Sequence, residues 1–286
     1  MASSAPLADP KSVTVREVWA HNLQSEFKII EKVVDSYNYV SMDTEFPGVV
    51  FKQEGFPCPG GRRWRSAAEQ YMLLKMNVDA LNIIQIGLTL SDADGNLPDV
   101  CGNGGRCIWQ FNFSDFDWER DLHSSDSIEL LRRQGIDFEK NRKEGIDSAR
   151  FGQLMMSSGL LFNQRVSWVT FHSAYDFGYV AKILTQRPLP NRLEDFLVIL
   201  QTYFGTRVYD VKHLMRFCES LYGGLDRLAG ALEVSRAVGK CHQAGSDSLL
   251  TWHVFQRMRD LRLVNGGLEK YAGVLYGLEV YGGMVY

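Results

Sequence analysis

The stretch YVSMDTEFPGVV, Tyr39 to Val50, sets two carboxylates, Asp43 and Glu45, into a run of strand-forming residues. Residues i and i+2 of a strand point to one face, so the two acids stand side by side. Like charges at that spacing repel, and each carboxylate in a buried element costs several kcal/mol to desolvate. The pair therefore demands hydrogen-bond donors, a raised pKa or a cation.

Working outward, VREVWAHNLQSEFKIIEKVVDSY places Val18, Leu23, Phe27, Ile30, Val33 and Val34 at helical spacing and predicts a helix feeding the acidic strand. ALNIIQIGLTLSD and RCIWQFNF read as second and third strands around an Asp-Gly turn, an antiparallel meander. DSIELLRRQG and DSARFGQLMMSSG read as short helices ending at glycine, and VSWVTFHS as a fourth strand passing straight into the helix AYDFGYVAKILTQ. A helix LEDFLVILQTYF, a short strand TRVYD and helices near 212–221, 225–234 and 247–262 follow. This order predicts one α/β domain, a mixed sheet with helices packed on it. The domain spans 14–265, between a flexible N-terminus, 1–13, and a loosely held Gly/Tyr-rich C-terminal tail, 266–286.

The chain has 286 residues, 45 % hydrophobic and 23 % charged, an ordinary soluble composition. A net charge of −3 and a pI near 6.1 argue against a protein that coats nucleic acid non-specifically. Cys58, Cys101, Cys107, Cys218 and Cys241 are odd in number and form no C-x-x-C pair, so neither a disulfide framework nor a zinc site is suggested, and a reducing compartment is expected. With no basic, apolar leader and no run of 18 apolar residues, a cytoplasmic and nuclear location is expected.

Three further residues bear on the acidic pair. Asp176 opens the helix after the fourth strand, where Ser173-x-x-Asp176 also reads as a capping box. Asp247 shares its phase with Leu250, Val254, Met258 and Leu261, so a carboxylate faces the core and needs a partner, with a capping role at the helix start as the alternative. His242 precedes it by five residues in the Gly-flanked segment GKCHQAGSD, where a surface histidine is the bland alternative. Together, two carboxylates on a strand, one after a neighbouring strand and one on a late helix are the parts of a two-metal site. Hard divalent cations prefer oxygen ligands, and two of them clamp the attacking and leaving oxygens of a phosphodiester.

In order along residues 14 to 262, SMDTEFPGVV, NIIQIGLTLSDADG, WQFNF, DSIELL, WVTFHSAYDFGY, VYDVKHLM and HQAGSDSLLT resemble the CCR-associated-factor (Pop-type) deadenylases, exonuclease subunits of the CCR-NOT complex in the DEDDh exonuclease superfamily. The resemblance implies a ribonuclease-H-like fold and removal of poly(A) from mRNA 3′ ends with release of 5′-AMP, dependent on two Mg²⁺ or Mn²⁺ ions. It assigns the metal positions to Asp43, Glu45, Asp176 and Asp247 and water activation to His242. It implies a NOT scaffold subunit and a second deadenylase as partners. The departures are the long basic segment Lys52 to Gln70, the loop DVCGNGGRC and the Tyr/Gly tail.

Other features are weaker. Gly102 to Arg106 is glycine-rich but lacks the G-K-[ST] of a phosphate loop, so it reads as a hairpin loop. Trp64, within Arg62 to Arg65, offers a ring for a base beside phosphate-binding arginines, with a solvated turn as the alternative. Phe46 is a candidate contact to the terminal nucleotide or a core residue. An RNase-H-type endonuclease, a proofreading DNA exonuclease and a catalytically silent scaffold are the alternative functions.

Overall fold

In the computed structural model of the chain, residues 13–52, 66–100, 105–264 and 266–279 are described. Six strands form one sheet: β1 (Val13–Val18), β2 (Tyr39–Glu45), β3 (Gln85–Ser91), β4 (Arg106–Asn112), β5 (Ser167–Thr170) and β6 (Val208–Asp210), in the spatial order β1-β4-β3-β2-β5-β6. β2, β3 and β4 make the expected antiparallel meander, and β5 and β6 extend it in parallel. The helices are α1 (Leu23–Val33), α2 (Ala67–Ala80), α3 (Ser125–Gln134), α4 (Phe138–Glu144), α5 (Ser148–Ser157), α6 (Ala174–Thr185), α7 (Leu193–Phe204), α8 (Val211–Leu214), α9 (Leu225–Ala231) and α10 (Ala244–Asp260). The expected mixed sheet flanked by helices is present.

Two elements differ from the reading of the sequence. Residues 15–18, expected to open the first helix, belong to strand β1, parallel to β4. Arg16 on it meets Glu26 of α1 at 2.7 Å, and Trp109 donates to the same carboxylate at 3.0 Å, so strand and helix are tied across the sheet edge. α2 was not anticipated; it buries Ala67, Tyr71, Leu74 and Val78, but its exposed Met72 and Met76 blur that stripe. A capping box, Ser66 with Glu69, starts it. Its fully buried Asn77 accepts from the Val50 and Phe51 amides at 2.8 and 2.9 Å, fixing the chain that leaves β2.

The C-terminal segment is not loose as far as Glu279. Val274 bridges to Tyr209, Leu275 and Leu278 join the main core, and Arg216 pairs with Glu279 at 2.7 Å; residues 280–286 lie outside the described residues. Cys107 is disulfide-bonded, at odds with the expected reducing compartment, whereas Cys218 and Cys241 are free thiols. Among the described residues no helix is long and apolar enough to cross a membrane.

Candidate active site

The site forms where β2 ends beneath the N-terminus of α10. The register pairs Asp43 with Gly87 on β3, and a Cβ built on Gly87 would lie 1.9 Å from the Ala244 carbonyl oxygen. Only a bare backbone lets α10 approach so closely. The helix end is held there by side chains of the sheet: the Gly245 amide donates to Gln110 at 3.0 Å and the Ala244 amide to Gln85 at 3.4 Å. Glu17 accepts in turn from Gln110 and Asn112 at 3.0 and 2.8 Å. The buried Gln85 and Gln110 thus satisfy helix-terminal amides that would otherwise be orphaned.

As a result, carboxylate oxygens of Asp43, Glu45 and Asp247 lie within 4.8 Å of one another. Asp176 joins from α6 through Thr44, whose hydroxyl donates to it at 2.8 Å. The capping reading of Asp176 fails, because Ser173 makes no cap bond and instead receives the Thr170 hydroxyl at 2.6 Å. The turn into α6 is held by Asp210, fully buried, which accepts the His172 and Ser173 amides at 2.8 and 3.3 Å. Asp247 does sit on the buried stripe with Leu250, Val254 and Met258, whereas Leu261, beyond the helix, is exposed.

Burial, then the charges of neighbouring acids, Asp176 and Asp247 chief among them, hold Asp43 and Glu45 well above the usual carboxylate range. Asp176 is pushed up to about 7 by burial, against the Thr44 hydrogen bond. Asp247 is raised by burial too, but Arg236 opposes the rise. Sequence reasoning missed Arg236, an irregularly placed residue: its guanidinium meets Asp247 at 2.6 Å and Asp226 at 2.7 Å. His242, with a left-handed φ of 59°, donates its amide to Asp247 at 2.8 Å and holds Nδ1 4.0 Å from Glu45. Its side chain is 43 % exposed, so it reaches both the acids and solvent. Phe46 is half-buried, packed on the core and stacked on Tyr175 with centroids 5.3 Å apart. Trp64 lies outside the described residues, as do most of the basic segment and residues 101–104.

An all-oxygen donor set of mutually repelling, largely buried acids fits divalent cations. Fold and site together define a metal-dependent nuclease. The family model for CAF1 family ribonucleases matches residues 18–151. Probable CCR4-associated factor 1 homolog 10 of Arabidopsis thaliana is 54 % identical over 272 residues, 95 % of each chain. The poly(A) ribonuclease pop2 of Schizosaccharomyces pombe is 43 % identical, over 95 % of this chain and 77 % of that one. The solved structure of S. pombe Pop2p in its Mg²⁺- and Mn²⁺-bound form is 44 % identical with a TM-score of 0.82, covering 92 % of this chain and 99 % of that one. Yeast CAF1, co-crystallised with the NOT1 MIF4G domain, is 36 % identical with a TM-score of 0.76, covering 95 % and 100 %. The chain belongs to the CAF1 family of ribonucleases.

Proposed function

We propose that the protein shortens mRNA poly(A) tails from the 3′ end, hydrolysing the terminal phosphodiester and releasing 5′-AMP. The convergence of Asp43, Glu45 and Asp247 oxygens within 4.8 Å, with Asp176 adding its charge to theirs, carries this reading. Asp43, Glu45, Asp176 and Asp247 would hold two Mg²⁺ or Mn²⁺ ions. When bound, such ions stabilise the charge on the attacking and leaving oxygens of an in-line displacement.

The chain's own residues supply the rest. His242 takes the proton of the attacking water; the new bond joins that oxygen to phosphorus, and the bond to O3′ of the penultimate nucleotide breaks, that oxygen taking up a proton from solvent to become the new 3′-OH. Its half-exposed ring then returns the proton to solvent. Arg236 keeps Asp247 aimed at the cluster. The Phe46 and Tyr175 rings, stacked directly after Glu45, offer a face for the terminal base, since base–aromatic stacking needs no particular sequence. By its likeness to CAF1 seen with NOT1, the chain docks on a NOT scaffold, beside a second deadenylase in the CCR-NOT complex, in cytoplasm and nucleus.

A 5′-labelled RNA ending in adenosines, incubated with Mn²⁺ or with chelator, tests this. A one-nucleotide ladder that needs metal and a free 3′-OH is expected. Cleavage of a circular RNA, or equal rates on matched DNA, would replace it with an endonuclease or a DNA exonuclease.

A further inference from the structure

Asp247 belongs to two donor clusters. One is the all-oxygen set with Asp43 and Glu45; in the other, atoms of Cys241, His242 and Asp247 lie within 4.8 Å of one another. We propose that Cys241, His242 and Asp247 form a second, inhibitory site for a soft divalent ion, zinc by its donor set, which competes with the catalytic arrangement for Asp247 and His242.

The chemistry of the donors separates the sites. Sulfur, imidazole nitrogen and one carboxylate oxygen suit Zn²⁺, whereas Mg²⁺ prefers oxygen and binds thiolate poorly. No C-x-x-C spacing announces the cluster. Neighbouring side chains ordinarily diverge, but the left-handed turn at His242, φ 59°, brings its ring and the Cys241 sulfur together. Both residues are half-exposed, so an ion has a path in, and three protein donors leave a fourth position for water. The thiol donates to Asp226 at 3.0 Å. On metal entry, sulfur binds as thiolate, and its proton passes by way of Asp226 to solvent. Burial and Asp226 push the thiol up to about 12 without metal, an order that a bound cation reverses.

Zinc here would hold the histidine proposed as base and a carboxylate proposed for the catalytic ions, so the inhibition, though not the site, rests on the function proposed above. Titration of the metal-free protein with Co²⁺ tests the site without turnover. A thiolate-to-cobalt charge-transfer absorption is expected, displaced by Zn²⁺, absent in Cys241→Ser and retained in Asp43→Asn. No such band in the wild type, or an undiminished band in Cys241→Ser, overturns the proposal. In turnover assays with saturating Mg²⁺, each variant scaled to its own zinc-free rate, Cys241→Ser should need at least ~10-fold more zinc for half inhibition, since even losing an outer partner of a metal ligand costs that much. Equal zinc sensitivity, with the band present, would retain the ion but remove its inhibitory role.

Discussion

Gly87 stands across the β2–β3 ladder from Asp43 and, by lacking a side chain, lets the Ala244 backbone press on the sheet where a Cβ would lie 1.9 Å from its oxygen. The obstacle is backbone, which cannot rotate away. Gly87→Ala should therefore push the start of α10 outward, and Asp247 with it. We expect ~1–3 kcal/mol of lost stability from overpacking and about 10²-fold lower turnover, the scale of a 1 Å misplacement. Urea unfolding and a rate assay check both; wild-type activity in a folded Gly87→Ala protein would mean the close approach is not what positions Asp247.

His242→Ala should reduce turnover by ~10²–10⁴-fold, the usual contribution of a positioned proton acceptor. The acids are untouched, so the rise in melting temperature on adding Mn²⁺ should persist. Loss of that rise would make His242 a metal ligand rather than a base.

How much of this was legible in the sequence depends on where each signal resides. The meander, β5 with α6, and the acidic quartet were readable because each lies in a local pattern: strand alternation, a strand running into a helix, a carboxylate in phase with buried leucines. β1 was not, because Val18 also fits the helical phase of α1, and only pairing with β4 decides between them. α2 carried a legible start, Ser66 and Glu69 three apart, beneath a stripe diluted by exposed methionines. Arg236 and Gly87 carried no local signal: one is a cation in an irregular segment, the other a small residue in a strand, and both take their roles from α10, more than 150 residues after β3 in the case of Gly87. The docking of 266–279 rests on Asp210 and β6, which no periodicity in that Gly/Tyr-rich run could reveal.

Without metal, the raised acids make stability fall with rising pH. A carboxyl whose folded pKa exceeds its unfolded value contributes stability below the unfolded value and loses it as pH rises through the folded one. For Asp176 the window runs from about 4, the ordinary value, to about 7. Melting temperature in chelator should decline across that window, and Asp176→Asn should flatten the decline. In millimolar Mn²⁺ the trend should reverse, because protons and metal compete for the same oxygens. A pH-independent melting curve in chelator would show that the carboxyls are not mutually strained.

Asp43→Asn and Asp247→Asn should act in opposite directions on the metal-free protein. Asp43 suffers repulsion from three acids, with the opposing charge of Arg236 the smallest influence on it, so its neutralisation raises the melting point. Asp247 is ion-paired at 2.6 Å, so its neutralisation leaves Arg236 short of a partner and costs about 1–3 kcal/mol. Both variants should shrink the metal-induced rise, which in the wild type approaches ~2.7 kcal/mol at a hundredfold excess over Kd. If Asp247→Asn also melts higher in chelator, the ion pair contributes nothing.

Asp210 couples the site to the C-terminal segment. One oxygen accepts the His172 and Lys212 amides at 2.8 and 2.9 Å, the other the Ser173 and Tyr276 amides at 3.3 and 3.0 Å. Four amide donors converge on a carboxylate with no exposure at all, so its charge is satisfied entirely by backbone. Asn can serve only half of them, and its own NH₂ would face the remaining N–H groups donor to donor. Asp210→Asn should therefore lose the equivalent of one or two charge-assisted hydrogen bonds, ~1.5–3 kcal/mol each. It should also loosen both ends it ties: the turn before α6 that aims Asp176, and the turn at Tyr276. Hydrogen exchange measured by mass spectrometry should show faster exchange at 172–173 and 273–278 in the variant, with the α1 and β1 amides unchanged. Uniform acceleration over the whole chain would mean that the substitution only lowers global stability, and wild-type protection at Tyr276 would sever the proposed link between tail and site.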